Sequence, residues 1–341
     1  MGRFASPILL ICLAVLVADS DSARSGGPLL ECERSLGVMG TDLVVRVFGD
    51  DEAQLERALD AAIAELERVE DLMTDWRPSP LTRLNAAAGK GPQPTDPELV
   101  RILDRSLRLG EVTAGAFDVS FAGVGQLWDF KRVPALLPDS AAVRDALSRV
   151  DYRRVRVDVE GGTVDLPARM RLGLGGIAKG YGVDRAMAVL MEQGIEHAVV
   201  SAGGDMKLLG RRQGELWEVA IKHPRERDSV MALLRVSNTC VVTSGDYERF
   251  FELDGRRYHH ILDPRTGYPS QGCLSATVVG PSAEDADALA TALCVLEPRQ
   301  GLELVEALPR TEALLVGMDG RVRVTSGLRG ALTPSYRTDQ P

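Results

Sequence analysis

Residues Leu172 to Asp184 read LGLGGIAKGYGVD. Four glycines fall within eight residues, Gly173, Gly175, Gly176 and Gly180, and they lead into an apolar-periodic run, Tyr181 to Leu190, that reads as a helix. Lys179 stands at the start of that run. Glycine lets backbone approach a ligand closely and reach positive φ. A helix N-terminus presents unpaired N–H groups and a partial positive charge, and a lysine there adds a mobile cation. Together these describe an anion site suited to phosphate. A tight turn with a solvated lysine accounts for the same residues, and the stretch matches neither the Walker pattern nor GxGxxG. The rest of the chain has to decide.

Working outward, Ala198 to Ala202 reads as a short buried strand stopped by Gly203-Gly204-Asp205. Trp217 to Ile221, Val230 to Val236 and Cys240 to Val242 read as strands, the last ending at Thr243-Ser244-Gly245-Asp246. Tyr258 to Leu262 leads into the turn Asp263-Pro264-Arg265-Thr266-Gly267. Ser275 to Val279 is a strand, Ala283 to Leu296 a helix and Gln300 to Leu308 a short helix, and residues 313–316 and 322–325 form a hairpin around Asp319-Gly320. On the N-terminal side, Val38 to Phe48 alternates like a strand. Residues 52–73 place Leu55, Leu59, Ala62, Leu66, Val69 and Leu72 at helical spacing, and Thr74 to Pro80 breaks that helix. Pro97 to Thr113 is a second helix capped by Asp96, Ala141 to Val150 a third, and Val155 to Leu166 a hairpin around Gly161-Gly162. Helices and strands mix without regular βαβ alternation, which makes the chain α+β with a mostly antiparallel sheet.

The 341 residues carry a formal charge of −9, which argues against nucleic acid as a partner. At 45% hydrophobic and 26% charged residues, the body has the balance of a soluble globular domain. Arg3 precedes an apolar run from Ile8 to Ala18 with signal-peptide proportions, and small residues follow it. Residues 1–23 are therefore read as a cleaved signal or an uncleaved anchor, 24–36 as a linker and 37–335 as the functional domain. Either fate of the leader exports the domain. Cys12 leaves with a cleaved signal, and Cys32, Cys240, Cys273 and Cys294 lie far apart, mostly in apolar runs, which is the pattern of buried thiols.

Four further stretches carry chemistry. Asp287 and Thr291, four apart, share one face of a helix that is apolar nearly all round. A carboxylate buried there needs a partner, and carboxylate, hydroxyl and backbone oxygens suit Mg2+. A solvent-facing Asp with a Thr bonded back to its own helix is the alternative. Thr243-Ser244-Gly245-Asp246 offers hydroxyls at a strand end for phosphate or ribose, or an ordinary polar turn. His259 and His260 face opposite ways if Tyr258 to Leu262 is a strand, so one faces a site as a general base and the other does not; a hydrogen-bonded structural histidine is the competing reading. Phe117, in Gly115-Ala116-Phe117-Asp118, and Trp76 offer faces for a planar ring, or are core aromatics.

Taken together and in this order, Met39-Gly40-Thr41, Met73 to Asn85, Gly115 to Asp118, Gly175 to Tyr181 with Asp184, Ala202 to Asp205, Thr243 to Tyr247, His260 to Gly267 and Asp287 to Ala292 resemble the ApbE family of FAD:protein FMN transferases. The resemblance implies a single-domain, T-fold-like α+β architecture with FAD in a cleft. It implies FAD contacts at Met39, Trp76, Ala116, Phe117, Asp118, Gly173, Lys179, Ser244, Asp246 and His260. It implies Mg2+ held by Asp287, Thr291 and main-chain oxygens near Gly176 and Ala290. The implied reaction moves FMN from FAD onto a threonine of a partner protein, such as a subunit of an electron-transfer complex, with release of AMP. His260 is the expected base, ahead of Asp246 or Asp263, and Lys179 the expected electrostatic group. The implied setting is the periplasm, with attachment to the inner membrane where the leader is retained. Two positions depart from the family pattern: Gly173 stands where an acid is usual, and Trp76 where a Tyr is common. An FAD pyrophosphatase using water, and a non-catalytic FAD-binding protein, are the competing functions.

Overall fold

A computed structural model describes residues 29–226 and 228–334. The leader, residues 24–28 of the linker and residue 335 lie outside the described residues. The elements run β1 (Leu30–Val38), β2 (Thr41–Gly49), α1 (Glu52–Met73), α2 (Pro80–Ala86), β3 (Gln93–Pro94), α3 (Pro97–Val112), α4 (Ala122–Gly125) and α5 (Ser140–Leu147). They continue with β4 (Arg156–Asp158), β5 (Thr163–Asp165), α6 (Ala178–Glu192), β6 (His197–Ala202), β7 (Asp205–Leu209), β8 (Trp217–Lys222), β9 (Val230–Val236) and β10 (Thr239–Gly245). The chain closes with β11 (Phe250–Leu253), β12 (Arg256–His259), β13 (Cys273–Gly280), α7 (Ala283–Val295), α8 (Pro298–Glu306), β14 (Glu312–Gly317), β15 (Val322–Val324) and β16 (Leu332–Pro334).

An eight-stranded sheet, ordered β1-β2-β6-β7-β10-β13-β14-β15 with every neighbouring pair antiparallel, divides the molecule. The two-residue alternation of strands sends successive side chains to opposite faces. Leu43, Val45, Cys240, Val242, Ala276, Val278 and Leu315 join one core with the buried stripes of α1, α6 and α7. Phe48, Val241, Leu274, Leu314 and Val316 join a second core under the small sheet β16-β9-β8. The result is a helical layer, a large sheet and a small sheet, the α+β antiparallel architecture expected from the sequence.

The long helices and most strands fall where periodicity puts them. Asp51 caps α1, Asp96 caps α3 with Pro97 at its first position, and Ser282 caps α7 by accepting from Asp285 N at 3.1 Å. The linker assignment needs correction: Leu30 to Val38 forms the edge strand β1, paired along its length with β2. Its polar, charged sequence hides the strand because one face and one edge meet solvent. The expected strand Tyr258 to Leu262 ends at His259, because Leu262 pairs with Pro269 across the tight turn instead.

Gly180 and Gly182 lie inside α6. A Cβ on Gly180 would collide with the Ala283 carbonyl and stand 2.9 Å from Asp287 Cβ. A Cβ on Gly182 would stand 2.7 Å from Met39 Cε and 3.3 Å from Leu66 Cδ2. These glycines thus serve close packing of α6 against α7 and against the β1–β2 hairpin. Replacing Gly180 by Ala improves intrinsic helix propensity yet should destabilise the fold by about 1–3 kcal/mol through overpacking. Gly175→Ala, where the added atom meets open space, should stay within about 0.5 kcal/mol of the parent. Urea unfolding of the two variants checks the contrast.

Candidate active site

The helical layer opens on a cavity of about 550 Å³. One side of its mouth is the two-residue turn between β1 and β2. Met39 and Gly40 both take positive φ, 55° and 68°, the pattern that matches strand twist in tight hairpins. Met39 N donates to Glu70 Oε1 at 2.9 Å, which ties the turn to the end of α1. Trp76, 61% exposed, stands at the same mouth. Opposite, the buried Phe117 ring packs so near Gly176 that a Cβ there would sit 3.2 Å from it. Asp118 also lines the cavity, but its carboxylate is taken up by Ser120 and by the backbone of Tyr152. It accepts from Ser120 N at 2.8 Å, Ser120 Oγ at 2.6 Å and Tyr152 N at 3.0 Å. Burial pushes its pKa up, and those hydrogen bonds pull against the rise.

The polar end is built by α6, α7 and β7. Lys179 Nζ donates to Asp205 and, at 2.9 Å, to Asp287 Oδ1. Gly180 N donates to Asp287 Oδ2 at 3.1 Å. The Asp205 and Asp287 side chains are 2% and 1% exposed. Burial alone would lower the Lys179 pKa, but Asp205 and Asp287 outweigh it and hold the ammonium firmly charged. Burial raises the Asp205 pKa, Lys179 opposes the rise and Asp287 adds to it. Two carboxylates share one ammonium, and with the Asp205 pKa pushed up to about 7 the group carries an excess negative charge only once Asp205 gives up its proton.

This geometry changes the anion-site reading. The N-terminus of α6 faces an anion, but that anion is the Asp287 carboxylate, while Ala178 N bonds Leu174 O at 2.8 Å. The glycine loop is therefore not a bare anion cradle, and Lys179 is the cation beside it in the cavity wall. The residues suit Mg2+. Asp287 and Thr291 point one way from α7, Thr291 Oγ1 lies 3.5 Å from Ser244 Oγ, and a Cβ on Gly176 would approach Thr291 Oγ1 to 3.3 Å. No group of three or more His, Cys, Asp or Glu among the described residues is placed to hold a metal. A hard cation here takes few protein oxygens and completes its shell with water and phosphate, the habit of Mg2+. Ala290 is fully buried in α7 and does not line the cavity.

His260 lines the cavity, and its Nδ1 is buried with no hydrogen-bond partner. Its backbone N donates to Arg249 O at 3.0 Å. Burial lowers its pKa to about 4, helped by the Arg249 charge, so the imidazole is neutral at neutral pH. His259, the last residue of β12, does not line the cavity; its Nε2 lies 3.0 Å from Ser270 O. Asp246 does not join the site. Its carboxylate is gripped by Arg225 through two contacts of 2.6 Å, so it neither lines the cavity nor serves as a base. The cause is that β10 ends at Gly245: Ser244 lies within the strand and lines the cavity, whereas Asp246 is past its end and turns to Arg225. Asp263 is held by Arg265 at 2.8 Å and is likewise off the cavity. Gly173 lines it, and a Cβ there would stand 2.9 Å from Ala122 Cβ; the missing acid is thus matched by close packing against α4. Sequence reasoning missed Glu70, Gln126, Phe130 and Arg249, all in the cavity wall. Only Arg249 carried a signal, its position just beyond Thr243 to Tyr247.

The sequence model of the ApbE family matches residues 39–315. The chain belongs to the ApbE family. The FAD:protein FMN transferase of Treponema pallidum (strain Nichols) is 37% identical over 339 residues, covering 94% of this chain and 93% of that protein. The FAD:protein FMN transferase of Klebsiella pneumoniae (strain 342) is 32% identical, covering 99% and 97%. Among solved structures, the ApbE protein of Thermotoga maritima superposes with a TM-score of 0.80 at 30% identity, covering 89% of this chain and 99% of that one. Flavin transferase ApbE from Vibrio cholerae gives 0.80 at 29%, covering 89% and 100%. The α+β fold expected from the resemblance is therefore an ApbE fold.

Lys179→Met would leave two buried carboxylates facing each other and should cost about 3–5 kcal/mol at neutral pH. A carboxylate whose folded pKa is raised above its unfolded value loses stability as pH rises between the two. The deficit of the variant should therefore shrink toward acidic pH. Urea unfolding at pH 5 and pH 8 measures it.

Proposed function

We propose that this protein is a Mg2+-dependent FAD:protein FMN transferase that moves FMN from FAD onto a threonine hydroxyl of a partner protein as a phosphoester, with release of AMP. The observation that carries the reading is a neutral His260 imidazole lining the same cavity as Asp287, Thr291 and Lys179. Phosphoryl transfer needs charge neutralisation at the phosphates and a base at the nucleophile, and this cavity supports both. Met39, Trp76 and Phe117 supply apolar walls for a flavin ring.

Mg2+ held by Asp287 and Thr291, with a main-chain oxygen near Gly176, would supply neutralisation of developing phosphate charge. Lys179 orients Asp287 and adds positive potential beside the phosphates. The His260 imidazole accepts the proton of the acceptor threonine as its Oγ bonds to the FMN phosphorus. The bond from that phosphorus to the bridging oxygen breaks, and AMP leaves with the electron pair. The protonated imidazole, whose pKa is low, returns its proton readily. The acceptor belongs to an electron-transfer complex outside the cytoplasm, reached by an enzyme exported through residues 1–23 and either released or anchored by them.

Protein, FAD, Mg2+ and a threonine-bearing acceptor domain should yield covalent flavin fluorescence on a denaturing gel. Absence of label on several acceptors, despite bound FAD, sinks the proposal; fast AMP release without any acceptor makes the protein a pyrophosphatase instead. Asp287→Asn should raise the Mg2+ requirement about 10–100-fold. His260→Gln should slow labelling about 10²–10⁴-fold while FAD still binds. A base works when unprotonated, so labelling should hold through pH 6.5 and fall only as pH drops toward about 4. A rate profile with its acid limb near 6.5 would contradict the buried, neutral imidazole.

A further inference from the structure

Cys273 opens β13, and Cys294 is the penultimate residue of α7. Both are buried, at 2% and 1% exposure, and their sulfurs lie 3.8 Å apart, in van der Waals contact. The backbones meet at the same place. Gly272 N donates to Cys294 O at 3.1 Å, and a Cβ on Gly272 would sit 2.6 Å from that oxygen. Neighbouring chains at this spacing carry side chains within reach of a disulfide, whose sulfurs stand about 2.05 Å apart and which rotation about χ1 can bring together. Cys32 and Cys240 make no sulfur–sulfur contact among the described residues.

We infer that Cys273 and Cys294 are a covalent modification site, joined as a disulfide when the protein folds in an oxidising compartment. Two S–H bonds break and one S–S bond forms. Two electrons and two protons pass to a small-molecule or protein disulfide, which leaves as two thiols. The reaction belongs to folding rather than to the finished protein. In the folded thiol form, Cys294 Sγ donates to Ser244 O at 3.5 Å and Cys273 Sγ to Leu293 O at 3.6 Å. The Cys273 contact and burial hold the Cys294 thiol well above its ordinary pKa, which slows exchange once the core has closed. The bond closes a loop containing all of α7 but its last residue, including Asp287 and Thr291, so it constrains the unfolded chain without touching the cavity. Neither cysteine lines that cavity.

The test refolds reduced, denatured protein in a glutathione redox couple, denatures it again without reductant and alkylates it. The expected result is alkylation of Cys32 and Cys240, with Cys12 where the leader is retained. Peptides containing Cys273 and Cys294 should stay linked until a reductant separates them. Alkylation of both, or linkage of either to another cysteine, overturns the inference. A second measurement compares thermal midpoints with and without reductant. The parent should shift upward on oxidation and Cys294→Ala should not; equal behaviour of the two also overturns it. FAD binding should be the same in the oxidised and reduced parent.

Discussion

Asp287 is held by two donors that both come from α6: the Lys179 ammonium at one oxygen and the Gly180 amide at the other. This contact needs α6 and α7 close enough that residue 180 can bear no side chain. It also needs Asp205, brought from β7, so that the lysine has a second partner and stays charged in a poorly hydrated place. Everything polar in the site is arranged about it. Thr291 follows one turn along α7, Ser244 meets Thr291 from β10, and the loop carrying His260 closes the far wall.

A buried cluster of two carboxylates and one ammonium is poor economy for stability alone, because desolvation of ions often exceeds their mutual attraction. Its place in the cavity of an ApbE-family protein points to function rather than stability as its reason. The glycines carry a second lesson. Read as a phosphate loop they are half explained; read as a crossing between helices, Gly180 and Gly182 become the condition for placing a carboxylate on a helix N-terminus.

Much of this was legible in the residues. The amphipathic α1 and α3 announced themselves by spacing and caps, and the Asp287 and Thr291 pair by a carboxylate in an apolar helix. The strands β1 and β7 were hidden. The first is a polar edge; the second begins at Asp205 directly after Gly203-Gly204, where the glycines read as an ending. Asp246 shows the limit more sharply: an acid beside a site turns away when a strand ends one residue earlier and an arginine far along the chain claims it. Long-range partners such as Arg225 and Glu70 have no local signature.

The large sheet has two coats, and only one of them touches the cavity. None of the buried residues under β16-β9-β8, from Phe48 and Trp217 to Val241 and Leu328, lines it. The molecule thereby divides its labour between a working side and a supporting side. Changes beneath the small sheet act on how long the protein survives, while chemistry is inherited through the helices. Such a partition lets durability be tuned to a harsh environment without renegotiating the reaction.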